Sequence, residues 1–192
     1  MTGSRHNGPA GGSTRRARVL GVDPGSEATG YGVIESEGQR YELIEYAAIR
    51  ASSRLSPARR LLVISQKLEE VIERLRPDVC AVEETFYGVN VKSALKLGHV
   101  RGLVLVAAAR AGLEVFEYSP LEIKSALVGY GRAEKQQVQE MVRRLLSLSA
   151  LPEPLDASDA LACAICHANT HSTRSRREQA AQSLISRTRV AR

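Results

Sequence analysis

Val19-Leu20-Gly21-Val22 is a continuous apolar run that ends in Asp23, and Pro24-Gly25 then turns the chain away. A run of this length fits a strand covered on both faces. Cys80-Ala81-Val82-Glu83 repeats the design, again an apolar run delivering an acid at its end. Between them the turn residues Pro24-Gly25 and Gly30 bracket a short loop. Tyr31-Gly32-Val33-Ile34 reads as a second strand, Glu35 to Arg40 with Gly38 as a hairpin turn, and Tyr41, Leu43 and Ile44 to about Ile49 as a third strand. Three strands joined by short loops make an antiparallel meander.

From Ser56-Pro57 the period lengthens. Leu61, Leu62, Ile64, Leu68, Val71, Ile72 and Leu75 recur at helical spacing, and Pro77 stops the helix. The buried strand Val79 to Val82 follows, then a loop from Glu83 to Gly88. The pattern next predicts a long helix capped by Asn90 and running to about Ala111, and a short strand from Glu114 to Tyr118. It continues with a helix opened by Pro120, a turn at Gly129-Tyr130-Gly131 and an amphipathic helix from Ala133 to Leu148. Leu151 to Pro154 is a linker, and Asp156 to His167 is a final helix. A meander followed by alternating helices and strands predicts an α/β mixed sheet with helices on both faces.

At 192 residues the chain holds one domain with a proper core. The longest apolar run, Leu103 to Ala109, is far short of a membrane span. There is no apolar leader, and three irregularly spaced cysteines suit a reducing cytoplasm. The net charge of +6 is unevenly spread. Residues 1–18 carry four Arg and no acid (+4), and residues 171–192 carry six Arg against Glu178 (+5). The remainder holds 17 basic and 20 acidic side chains (−3). The ends, 1–17 and 169–192, read as loose basic tails around a domain at 18–168. Basic tails permit a nucleic-acid partner without establishing one.

Two parallel buried strands that each end in an acid set Asp23 beside Glu83, and like charges that close need a proton or a metal ion. Asp156 and Asp159 lie three apart and share a face in the first turn of the last helix. Taken alone, Asp156 is an N-cap, Asp159 a dipole-compensating acid and Asp23 a turn former. Together the four form a cluster of hard oxygen ligands that selects Mg²⁺ or Mn²⁺. Two such ions about 4 Å apart activate a water and stabilise the leaving oxygen of a phosphodiester. Cys163-Ala164-Ile165-Cys166-His167 matches a haem-attachment pattern, but its helical spacing among Ala and Ile reads as core packing.

The block Val19 to Ser26 with Thr29-Gly30-Tyr31-Gly32 resembles the first motif of the RuvC family of Holliday-junction resolvases. Ala81-Val82-Glu83, Phe86 and Ser93 to Gly98 resemble the second. Phe116-Glu117-Tyr118, Ile123-Lys124, Ala133-Glu134-Lys135 and Asp156 to Ala162 continue the match in order, over about residues 18–168. The resemblance implies a ribonuclease-H-like fold and a homodimer that makes two symmetric nicks in four-way junction DNA with Mg²⁺ or Mn²⁺. It implies Asp23, Glu83, Asp156 and Asp159 as catalytic and metal-holding acids, choosing Glu83 over Glu84. It implies Phe86 as an aromatic that stacks on a base, and Lys124 and Lys135 as phosphate-contacting lysines. It also implies partnership with a RuvA–RuvB branch-migration complex. The helix with Gly98 and Gly102 is otherwise apolar and reads either as a core helix or as a close two-fold contact; the family uses it at the dimer interface. Three rivals remain: an actin-type ATPase, an inactive junction-binding module, and a nuclease of the same fold acting on other structures.

Overall fold

The computed structural model describes residues 16–84 and 91–171. One five-stranded sheet runs in the order β3-β2-β1-β4-β5. Its strands are β1 (Ala17–Asp23), β2 (Ala28–Glu37), β3 (Arg40–Arg50), β4 (Val79–Glu83) and β5 (Glu114–Tyr118). The meander β1-β2-β3 is antiparallel, whereas β4 and β5 run parallel to β1. The helices are α1 (Pro57–Leu75), α2 (Val91–Arg110), α3 (Pro120–Val128), α4 (Lys135–Leu145) and α5 (155–171).

Strand alternation sorts the core into two layers. Leu20, Val22, Cys80 and Val82 point to one face and join Ile64, Leu68, Val100 and Val104 of α1 and α2. Val19 and Ala81 point to the other and join α3, α4 and the buried face of α5. Asp23 and Glu83 follow the same alternation, so both project toward the α5 layer at the strand ends.

Capping fixes the helix starts. Ser119 and Glu122 form a capping box behind Pro120, and Gly129 closes α3 at φ 90°. The amphipathic helix α4 is shorter than its apolar pattern predicts. Glu134 becomes the N-cap, its N–H donating to Gln137 Oε1 at 2.9 Å, while Ala133 is buried outside the helix. At the far end Leu146 leaves helical geometry and Ser147 adopts φ 53°. The last helix is longer than expected, opening at 155 and reaching 171. Asp156 is therefore inside the first turn rather than its cap. Asn169 ties the added turn down, accepting from the Tyr41 hydroxyl and donating to the Ala126 carbonyl.

Gly30 has a different role from the loop bracket expected of it. It lies within β2 opposite Asp23, and a Cβ there would fall 1.8 Å from the Asp156 carbonyl oxygen. A Cβ on Gly21 would fall 2.0 Å from the Ala160 carbonyl oxygen. Helix α5 is seated directly on the β1–β2 backbone because these positions carry no side chain.

Gly98 and Gly102 meet nothing within 4 Å among the described residues, so no close approach among these explains them. Only Val100, Val104, Ala107 and Ala108 of α2 are buried, which removes the core-helix reading. Leu95 and Val106 are exposed. The reading of Phe86 and the Asn90 cap lie outside the described residues, as does nearly all of the two tails.

Candidate active site

Register sets the site. Gly30, Asp23, Glu83 and Tyr118 stand in one line across β2, β1, β4 and β5: Asp23 pairs with Gly30, Val22 with Val82, and Glu83 with Tyr118. The two strand-end acids are thus neighbours on the same face. Glu84 is one residue further, exposed and of opposite parity, with its N–H on the Tyr118 carbonyl at 2.8 Å. The fold therefore distinguishes Glu83 from Glu84 by strand alternation. Gly30 admits the first turn of α5 onto this line, which places Asp156 beside Asp23 and Asp159 one turn further.

The electrostatics follow from that crowding. Burial, then Asp159 and Asp156, raise the Asp23 carboxyl to about 7. Burial, then Asp23 and Asp159, raise Glu83 to about 8. Asp159 is raised by burial even though Lys135 holds it in an ion pair at 2.6 Å. Lys135 is raised in turn, the Asp159 contact outweighing its own burial. Lys124, half-buried on α3, acts on Glu83 and Asp159 from the β5 side. All six sequence-chosen charged residues that the structure describes are therefore coupled, four acids against two lysines.

The donor set suits a hard divalent cation: carboxylate oxygens only, partly buried, with the Asp23 and Glu83 carboxyls raised by burial and by their acidic neighbours. Among the described residues no three His, Cys, Asp or Glu side chains close into a finished metal cage. Asp159 is turned onto Lys135 instead, so the lysine supplies the cation that the acids face here.

Two supporting residues were not among the site residues chosen from the sequence. Thr29 is fully buried and donates its hydroxyl to the Gly25 carbonyl at 3.1 Å, bracing the loop that follows Asp23. Arg60 donates to the Ser26 carbonyl at 2.6 Å and anchors α1 to the same loop. The Cys163, Cys166 and His167 group is core. His167 Nδ1 shares a 2.9 Å hydrogen bond with the Tyr118 hydroxyl, and burial lowers its pKa to about 4. Both thiols are raised by burial and are inert.

A mixed sheet in this order, with carboxylates ending its two central strands and opening the helix laid across them, defines the ribonuclease-H-like nuclease class. The family model of the crossover junction endodeoxyribonuclease RuvC matches residues 19–167, and the chain belongs to that family. It is 48% identical over 153 residues to the crossover junction endodeoxyribonuclease RuvC of Ruminiclostridium cellulolyticum, covering 80% of this chain and 92% of the relative. With that of Heliobacterium modesticaldum the identity is 53% over 152 residues, covering 79% and 94%. The structure of T. thermophilus RuvC in complex with Holliday junction substrate superposes with a TM-score of 0.79 at 37% identity, covering 82% of this chain and 96% of that one. Membership makes the chain an endodeoxyribonuclease and carries a dependence on divalent metal ions. Membership also disposes of the ATPase rival, which needs two such domains where the described residues form one sheet. No helix among the described residues is long and apolar enough to cross a membrane.

Proposed function

We propose that this chain is a cytoplasmic, homodimeric endonuclease that resolves four-way DNA junctions by paired symmetric nicks during recombination and repair. The observation that carries the reading is the line of register from Gly30 through Asp23 to Glu83, with α5 seated on it. This line gathers four acids where a bound cation relieves their repulsion.

Asp23, Glu83, Asp156 and Asp159 hold the metal, as Mg²⁺ or Mn²⁺. Two such ions, held there, would supply activation of a water and stabilisation of the leaving oxygen of a phosphodiester. Asp23 and Glu83 would ligate as carboxylates. Lys135, paired with Asp159 here, and Lys124 on α3 would hold the scissile phosphate. Phe86, three residues past Glu83, stacks on a base near the crossover. Helix α2 provides the two-fold contact: its exposed Leu95 and Val106 and the open surfaces at Gly98 and Gly102 need a partner of the same shape. Two sites then face two equivalent strands, and a RuvA–RuvB-type complex delivers the junction.

The test is cleavage of an immobile-core junction labelled on each strand, with Mg²⁺, Mn²⁺ or EDTA. Paired symmetric nicks that vanish in EDTA are expected. Binding without cleavage in either metal would overturn the reading in favour of an inactive module.

A further inference from the structure

Among the described residues, many arginines are paired with acids. Arg16, Arg18, Arg74, Arg101, Arg143 and Arg144 all reach acids. Residues 46–68 are different: they hold four Arg and one Lys with no Asp or Glu. Arg50, Arg54 and Arg59 in this stretch are exposed and form no ion pair among the described residues.

Three features place this stretch at the same end of the sheet as the acids. Arg50 ends β3 opposite Ala28, so it stands two residues beyond the level of Asp23, whose partner Gly30 pairs with Ala48. Arg60, the fourth arginine, is committed to the Ser26 carbonyl in the loop after Asp23, which holds the start of α1 against that loop. Arg59 and Arg60 also occupy the first turn of α1, which has no acid and where the helix dipole disfavours cations. Local helix stability argues against such a placement. A ligand bearing negative charge reverses that argument.

We propose that Arg50, Arg54 and Arg59 form a phosphate-binding rim for a duplex arm of the junction, on the β3 side of the acids. Lys124, on α3 just after β5, acts on the acids from the opposite edge of the sheet and Lys135 is paired with Asp159, so a DNA strand that crosses the acids meets basic groups on both flanks. The rim binds backbone phosphates and reads no bases, which suits a surface that must hold arms of any sequence. The inference rests on the junction-resolving reading above.

The test compares the wild-type protein with R50Q/R54Q/R59Q, using fluorescence anisotropy on a labelled four-way junction in EDTA from 50 to 200 mM salt. Loss of three phosphate contacts from each protomer, six per dimer, reduces the salt slope by about 5.4, so across this range the wild type should lose about 1,800-fold more affinity than the variant. At saturating protein in Mg²⁺ the variant should nick at the same positions. R40Q/R76Q, which removes two exposed arginines at the opposite end of the sheet and α1, should keep the wild-type slope. An unchanged slope in the triple variant, or an equal fall in the control, would overturn the rim. A wild type that neither cleaves the junction nor prefers it to linear duplex would instead overturn the underlying reading.

Discussion

Strand β1 begins in a charge cluster that neutralises itself and ends in one that does not. At its start the Arg18 guanidinium meets Glu35 at 2.5 Å and the Leu75 carbonyl at 2.5 Å, while the Arg18 N–H donates to Asp78 at 2.7 Å. Arg16 adds a second contact to Glu35 at 3.1 Å. Glu35 is lowered by its Arg18 hydrogen bond, whereas Glu83, a glutamate of the same sheet at its other end, is raised to about 8 by burial and its acidic neighbours. The first cluster ties the start of β1 to the end of α1 and balances its own charges. The second carries unbalanced charge that a cation from outside relieves, and this imbalance separates a working end from a structural one.

The comparison breaks most sharply at Asp23. Asp23→Asn should keep junction binding and lower cleavage by about 10³-fold or more, beyond the 10–100-fold typical of residues that only orient a ligand. Single-turnover cleavage alongside anisotropy measures both, and retained nicking in excess Mg²⁺ would count against its role. Gly30→Ala drives a methyl into the Asp156 backbone and should cost about 1–3 kcal/mol or more, together with the cleavage that depends on α5 being seated. Thermal melting should then fall by about 2–4 °C per kcal/mol. A normal melting point with full activity would show that α5 is not held by this contact.

The two ends also respond oppositely to pH. In the metal-free protein Asp23 and Glu83 keep their protons up to about 7 and 8, whereas an unfolded chain loses them near 4. The folded state binds more protons between roughly pH 4 and 8, so stability falls as pH rises through that window. Melting in EDTA should be a few degrees lower at pH 8 than at pH 6, and Asp23→Asn should flatten the trend. Glu35, being lowered, contributes the other way, its share lost only as the pH falls into the acid range. A profile that rises from pH 6 to 8 would contradict this account. The smallest effect is expected at Glu84, which strand parity turns away from the acids: Glu84→Gln should stay within about twofold of wild-type cleavage, inside the ±0.5 kcal/mol usual for surface changes.

Much of this was legible before any fold was known. Apolar runs ending in Asp23 and Glu83 announced two buried strands and their carboxylates, because a strand covered on both faces leaves no polar position until it ends. The meander and the start of α3 were readable from turn and capping residues, whose effects are local. The ends of α4 and α5 were not, since periodicity continues past a cap until a side chain such as Glu134 or Asn169 finds its partner.

What the sequence by itself determined was the type of chemistry, four acids and two lysines in a chain with one α/β domain. Only the tertiary structure decided which groups meet, because register and close approach are properties of pairs of segments. It put Asp23 level with Glu83, turned Glu84 away and set Asp156 on the bare backbone of Gly30. It left Lys135 on Asp159 and gave Arg60 to the loop after Asp23. A glycine in a strand looks the same in sequence whether it serves a turn or a seat for a helix, and here the seat is what brings the last two acids to the first two.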